Sequence, residues 1–201
     1  MIFGQFIEEG EKVNKSQAIL QAASQTFSLF GYKATTMDQV ARTANVGKGT
    51  IYNFYATKEI LFQAVVMELI SSMRKTVEKE MKPQISFEKN ALNALNRLLQ
   101  FRETHALYVK LVAEEKELRT PAVQSMLTKI EQEITRILAE KIQLAMNKGE
   151  IIQCDPELVS YLLLKSYIAM IVDWQDTHLN KLAEDTISQL FQSTIFKGLM
   201  P

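Results

Sequence analysis

The 201-residue chain has one cysteine, four prolines and seven glycines, and its 23 basic residues are balanced by 23 acidic ones. A lone cysteine, Cys154, cannot build a disulfide framework, so an apolar core must hold the fold, and a reducing compartment suits the composition. So little Gly and Pro excludes collagen-like and low-complexity architectures. Zero net charge excludes a protein that coats nucleic acid through bulk positive potential. There is no Asn-Gly or Asp-Gly turn and no sustained alternation of β-branched residues, so hairpins and sheets are not expected. The opening Met-Ile-Phe-Gly-Gln-Phe has no basic residue ahead of its apolar ones and no long apolar run behind them, unlike a secretory signal, and a cytoplasmic protein is expected. Histidine is scarce too. His105 and His178 have no Cys or His neighbour at metal-ligand spacing, and no Gly-rich phosphate loop occurs. Neither an enzyme nor a cofactor or metal is expected.

What the chain has is apolar spacing of helical period, with hydrophobic residues at 47%. Ile19, Ala23, Phe27 and Phe30 recur at steps of four, four and three, and Gly31 stands where a left-handed cap would end that first clear helix. Thr36 with Gln39 has capping-box spacing and predicts a short helix from Met37, with Val40, Ala41 and Ala44 on its apolar side. Asn45 follows, a residue that tolerates the positive φ of a sharp turn. The next helix is predicted from Gly47 or Lys48, with Ile51 and Tyr55 one turn apart, and Thr57 predicts a cap for another from Lys58. Later helices separate at Pro83, Pro121, Gly149 and Pro156. Thr120-Pro121 and Asp155-Pro156 each read as an N-cap followed by proline at the first helical position, where its missing N–H costs nothing.

Two short helices joined by a tight turn, with Ala41, Asn45, Val46 and Ile51 at fixed offsets, have the form of a helix-turn-helix. Between Glu11 and Ile60, six basic residues face three acidic ones, a local surplus in a neutral chain. The run from Ile19 through Phe62 resembles the DNA-binding head of the TetR family of bacterial transcriptional regulators. The resemblance is carried by Phe30-Gly31-Tyr32, Thr36-Met37, Val40-Ala41, Gly49-Thr50-Ile51-Tyr52 and Lys58-Glu59-Ile60-Leu61. It implies an all-α fold: a three-helix head over residues 12–72, its helix-turn-helix near 35–54, and a helical effector-binding and dimerisation body over 73–201. It implies phosphate contacts from Thr36, Tyr52 and Lys58, and base-edge contacts from Lys48, Thr50 and Asn53, with Gly49 allowing close backbone approach. The chain departs from the family pattern at Asn45, where glycine is usual, and at Phe54 and Tyr55. Phe54 stands where Tyr or His commonly faces phosphate and Tyr55 where a buried Phe is common. Either one phosphate contact is missing or Tyr55 supplies the hydroxyl.

In the body, Glu114, Glu115 and Glu117 beside Lys116 and Arg119 read as a solvated helix face. Leu158 to Trp174 is apolar except for Ser160, Lys165, Ser166 and Asp173. It is too short for the roughly 20 residues of a membrane span, so a helix buried on several sides is expected, with no membrane partner. Leu179, Ala183, Ile187, Leu190 and Phe191 form one stripe on the helix predicted next. Helices at 156–178 and 179–199 are the expected homodimer seam. Phe101, His105, Tyr108, Met126, Met170 and Trp174 are candidate walls of an apolar effector pocket, though each also suits an ordinary core. The expected function is a repressor that binds a palindromic operator in double-stranded DNA as a dimer and is released by a small, largely apolar effector. The competing expectation is a helical interaction module that has lost DNA binding.

Overall fold

A computed structural model describes residues 2–100 and 102–201, with side chains at 14–100, 106–174 and 176–201. Every regular element among them is helical: α1 (Ile2–Ala34), α2 (Met37–Thr43), α3 (Lys48–Phe54), α4 (Lys58–Glu80), α5 (Phe87–Gln100), α6 (Arg102–Leu118), α7 (Pro121–Asn147), α8 (Pro156–Ile168), α9 (Trp174–Thr177), α10 (Glu184–Leu190) and α11 (Lys197–Leu199). The chain forms two compact units, one of residues 1–69 with 103–127 and the other of 70–102 with 128–201. Neither unit is contiguous in sequence: the divisions fall inside α4, at the start of α6 and inside α7.

The first unit is organised by aromatic packing. Phe27 meets Phe62 edge-on at 5.2 Å between ring centres, and Tyr32 lies 4.6 Å from the same Phe62 ring. Ile19, Ala23, Val40, Ala41, Ile51 and Leu61 complete its core with Leu107 and Leu111 of α6. Gly31 breaks α1 where the first helix was expected to end. It kinks the helix with φ 82° and ψ 173°, and helical turns resume to Ala34. The positive φ that glycine permits is present, but in the extended rather than the left-handed helical basin.

Three turn and cap predictions appear as built. Thr36 Oγ1 accepts the Gln39 N–H at 3.2 Å while Gln39 Oε1 accepts the Thr36 N–H at 2.8 Å, a complete capping box. Asn45 adopts φ 53°, and the N–H groups of Asn45 and Val46 close back on the carbonyls of Arg42 and Ala41. That is a Schellman ending with asparagine in the usual glycine place. Asp155 accepts the N–H groups of Glu157 and Leu158 at the start of α8.

In the second unit, Ile130, Ile137, Ile142, Leu163, Leu164, Ile168, Ile187, Phe191, Phe196 and Leu199 are buried. Two expectations change here. The Leu158–Trp174 segment is buried on one side only within this chain: Leu163, Leu164 and Ile168 face inward, whereas Leu158, Tyr161 and Leu162 are 65%, 53% and 51% exposed. Its Lys165 is offset by Glu131 at 2.6 Å. Nor does a helix run from Leu179. The Trp174 indole stacks on His178 at 3.5 Å and donates to the Asn180 carbonyl, His178 turns extended, and the next helix starts only at Glu184. Leu179 therefore points wholly into solvent. Both C-terminal helical stretches pass through π-helical turns, Ala169–Asp173 and Phe191–Phe196. Five α-helical steps of about 100° would put residues five apart on nearly opposite faces. The wider turn instead brings the Phe191 and Phe196 rings within 5.9 Å of each other.

Candidate nucleic-acid interface

The inner face of α3 is apolar, with Ile51 and Tyr55 buried one turn apart. Its outer face carries Lys48, Gly49, Tyr52 and Asn53, all exposed, with Thr50 half-exposed between the two. The first turn of α3 has no side-chain cap, because Gly47 stands at the N-cap. Its exposed N–H groups and its small polar side chains thus occupy the same end of the helix, the end with which helices of this motif meet base edges.

Gly49 is not required by packing. A Cβ built on it meets nothing within 4 Å, and its φ lies outside the left-handed range. Glycine inside a helix costs about 1 kcal/mol relative to alanine. The first unit therefore gains nothing internal from the missing side chain, and close approach of something external is what it permits. Gly31 is the opposite case. Its positive φ requires glycine, and an added Cβ would come to 2.5 Å from Glu114 Oε2.

The charges around this face are arranged locally. Lys48 Nζ lies 3.0 Å from Asp38 Oδ2, linking α3 to α2, and this hydrogen-bonded partner raises the lysine's pKa. Both side chains are solvated, so the pair is an exchangeable contact of small net worth. Thr36 is exposed at the start of α2, its hydroxyl donating to Oε1 of the half-buried Gln39 side chain at 3.0 Å.

Lys58 is placed differently from the phosphate contact that its motif implies. Its ammonium donates to the carbonyls of Tyr32 at 2.9 Å, Thr35 at 3.0 Å and Lys33 at 3.4 Å, and lies 4.4 Å from the centre of the Tyr32 ring. Each of its three protons has an acceptor, so the side chain caps the last turn of α1, where a cation complements the carbonyl end of the helix. Tyr55 also has its own partner. Its ring is buried and its hydroxyl lies 3.2 Å from Ser16 Oγ, so it packs in the family's phenylalanine place and does not turn outward to replace a hydroxyl at Phe54.

A further polar residue orders this unit, one the sequence placed on a solvated face. Glu114 is buried, and its carboxylate accepts the Tyr32 N–H at 2.6 Å, the Lys33 N–H at 3.1 Å and the Thr120 hydroxyl at 3.0 Å. Those two backbone groups are orphaned by the Gly31 kink, and the carboxylate satisfies both. Of its neighbours, Glu117 is exposed and Glu115 half-buried. The only signal in the sequence is the pairing of a kink-forming glycine with one carboxylate among several some 80 residues away, and periodicity does not choose among adjacent glutamates.

In the second unit an apolar cavity of about 110 Å³ is walled by residues of α4, α5, α7, α8 and the Phe191–Phe196 turn, among them Val77, Leu95, Ile137, Leu163, Phe191 and Phe196. Met170 and Trp174 are half-exposed and stand outside its walls. Tyr108, which is buried, and Met126 belong to the first unit. Phe101 lies outside the described residues, as does the side chain of His105. Methionine and aromatic content flags all such residues alike, whereas the cavity is set by which helix faces converge.

No described helix is long and apolar enough to cross a membrane, and no His, Cys, Asp or Glu cluster among the described residues could hold a metal. Residues 19–65 match the family model for bacterial regulatory proteins of the tetR family. The chain is 42% identical over 187 residues to YhgD of Bacillus subtilis (strain 168), an uncharacterized HTH-type transcriptional regulator, covering 93% of this chain and 97% of the relative. Among solved structures, a putative TetR-family transcriptional regulator from Rhodococcus sp. superposes with a TM-score of 0.78 at 19% identity, covering 93% of this chain and 98% of that one. The transcriptional regulator FadR from Bacillus subtilis, solved in complex with stearoyl-CoA, gives 0.73 at 16% identity over 91% and 98%. The helix-turn-helix geometry and the near full-length relative agree: this chain belongs to the TetR family and is a DNA-binding transcriptional regulator.

Proposed function

We propose that the protein is a repressor that binds a palindromic operator as a homodimer and is released by a small, largely apolar effector. The observation that carries this reading is the outer face of α3, where a glycine that packing does not need stands among Lys48, Thr50, Tyr52 and Asn53. Lys48, Thr50 and Asn53 would read base edges, with the Asn53 amide suited to adenine. Thr36, Tyr52 and the first N–H groups of α2 would hold phosphates. Lys58 would act through α1, fixing the base on which the reading helix stands.

Pairing is supported by the exposed stripe of Leu158, Tyr161 and Leu162 on α8, an apolar surface that water does not favour and a second copy could cover. Two reading helices must then meet major grooves about 34–36 Å apart. Effector control is supported by α4, which begins at Lys58 and ends with Met73 and Val77 in the cavity wall. A ligand filling that wall biases the helix that fixes α1. FadR shows that a regulator of this fold can hold an acyl ligand.

The test is selection of bound fragments from random DNA, followed by titration of the selected sequence at several salt concentrations. Two symmetric half-sites are expected. The log-log slope should be near −3.6 if about four phosphates are neutralised per dimer. Tyr52→Phe should weaken all sequences by the same factor, whereas Asn53→Ala should relax preference at one position by about 1–3 kcal/mol. A monomer that binds no oligonucleotide at low salt overturns the reading.

A further inference from the structure

The apolar cavity has a polar neighbour. A second cavity of about 170 Å³ shares Met81, Phe87 and Lys141 with the first and adds Lys82, Lys148 and Glu150 to its own wall. Lys141 is thus common to a space lined almost wholly by carbon and to one lined by charge. Its side chain is half-buried, and it makes no hydrogen bond or ion pair among the described residues. Glu150 does not neutralise it. One oxygen accepts the Phe87 N–H at 2.6 Å and the other lies 3.7 Å from Lys148. The outer cavity therefore holds three lysines against one glutamate that is already engaged, beside a chamber with no anionic group. The half-buried Lys141 side chain carries its charge with no counter-ion among the described residues, and an anion held beside it would gain a charge-assisted hydrogen bond.

We infer that the two cavities form a single site for an amphiphile with an unbranched apolar chain and an anionic head. The chain lies among Val77, Leu95, Ile137 and Phe191, and the head meets Lys141, with Lys82 beside it. Met73 and Met81 in the wall are flexible thioethers that can make room for longer chains. The inference deepens the effector reading above and rests on the inner cavity being the effector site. A free carboxylate and the phosphates of an acyl thioester present the same chemistry to Lys141, and experiment separates them.

The test is calorimetric titration of the purified full-length protein with four probes of equal chain length: decanoate, decanoyl-coenzyme A, decanol and decyltrimethylammonium. At least one anion should bind about tenfold or more tightly than the alcohol or the ammonium, the worth of one charge-assisted hydrogen bond. Lys141→Met keeps the apolar stem and should bring that anion down to the level of the alcohol. Ala91→Trp should fill the inner cavity and abolish binding of all four, with thermal unfolding of both variants confirming the fold. Tighter binding by decanoate than by decanoyl-coenzyme A assigns the head as a carboxylate, and the reverse order assigns the phosphates. Equal binding of alcohol and anions, preference for the ammonium, persistence of the anion preference in Lys141→Met, or no binding at all overturns the inference. DNA affinity measured on the same preparations separates the two readings. An anion that binds through Lys141 without releasing DNA sinks effector control and leaves the site, whereas a protein that binds DNA but takes up none of the four probes sinks the site.

Discussion

The two units of this protein use polar groups in opposite ways. In the first, hydrogen bonds position an outer surface: the Thr36–Gln39 box, the Lys58 ammonium on three carbonyls and the Glu114 carboxylate on the Gly31 kink hold short helices that have little apolar area of their own. In the second, longer helices enclose an inner volume with almost no polar group. A reading surface must keep one shape against a rigid duplex, and buried polar contacts specify a geometry more narrowly than apolar packing does. An adaptable chamber has the reverse need, which methionine and wide π turns meet.

The sharpest way to break this comparison is to remove the polar order of the first unit. Glu114→Ala leaves the Tyr32 and Lys33 N–H groups and the Thr120 hydroxyl without their acceptor. Each unsatisfied buried donor costs about 1–3 kcal/mol, so a loss of about 3 kcal/mol is expected. Chemical denaturation should show it, with DNA affinity falling in parallel. Glu114→Gln, which keeps the shape and one acceptor oxygen, should recover part of the loss. Unchanged stability in Glu114→Ala would mean that apolar packing alone positions the head.

Much of the first unit was legible in the sequence because its signals are local. Thr36 and Gln39 are three residues apart, Asn45 needs only its own φ, and Ile51 and Tyr55 report one helix face. Glu114 was misread, and the carbonyl partners of Lys58 were missed, for the complementary reason. Their partners at Tyr32, Lys33 and Thr35 lie about 23 residues or more away in sequence, and a charged residue at a helix start or in a charge run looks solvated until the fold brings a carbonyl or an N–H to it. The cavity was illegible on similar grounds. Tyr108, Met126, Met170 and Trp174 have the right chemistry, but its walls are drawn from five segments whose convergence no single period encodes. The false helix start at Leu179 arose because a Trp174–His178 stack, invisible to an apolar-stripe argument, ends the preceding helix.

A second substitution separates what the first unit needs for itself from what it offers outward. Gly49→Ala adds a methyl group into open space on a helix. Stability should rise by about 0.5–1 kcal/mol, because alanine is the better helix former. Operator affinity should fall instead if, as proposed, the duplex approaches the backbone at this position. Thermal unfolding and fluorescence anisotropy on one preparation give both signs. A rise in both would show that Gly49 lies off the contact surface.

The smallest effect sharpens the comparison through pH. The Tyr32 hydroxyl donates to Glu59 Oε1 at 2.6 Å, and this hydrogen bond is the main reason that the Glu59 carboxyl is held below the usual carboxylate range. Burial, with the same carboxylate, pushes the Tyr32 hydroxyl above its usual pKa, so it stays a donor. A lowered carboxylate favours the folded state above its unfolded pKa of about 4.3, and that contribution disappears as pH falls through the lower folded value. A raised tyrosine has the opposite sign: its contribution is whole below about pH 10 and is lost as pH rises beyond it. Tyr32→Phe removes the hydroxyl but keeps the ring beside Phe27 and Phe62. Its stability deficit relative to the unsubstituted protein should thus form a plateau between about pH 5 and pH 9 and shrink on both sides. A deficit that does not vary with pH would assign the tyrosine's role to its ring. The polar order of the first unit would then be confined to Glu114, Lys58 and the Thr36 box.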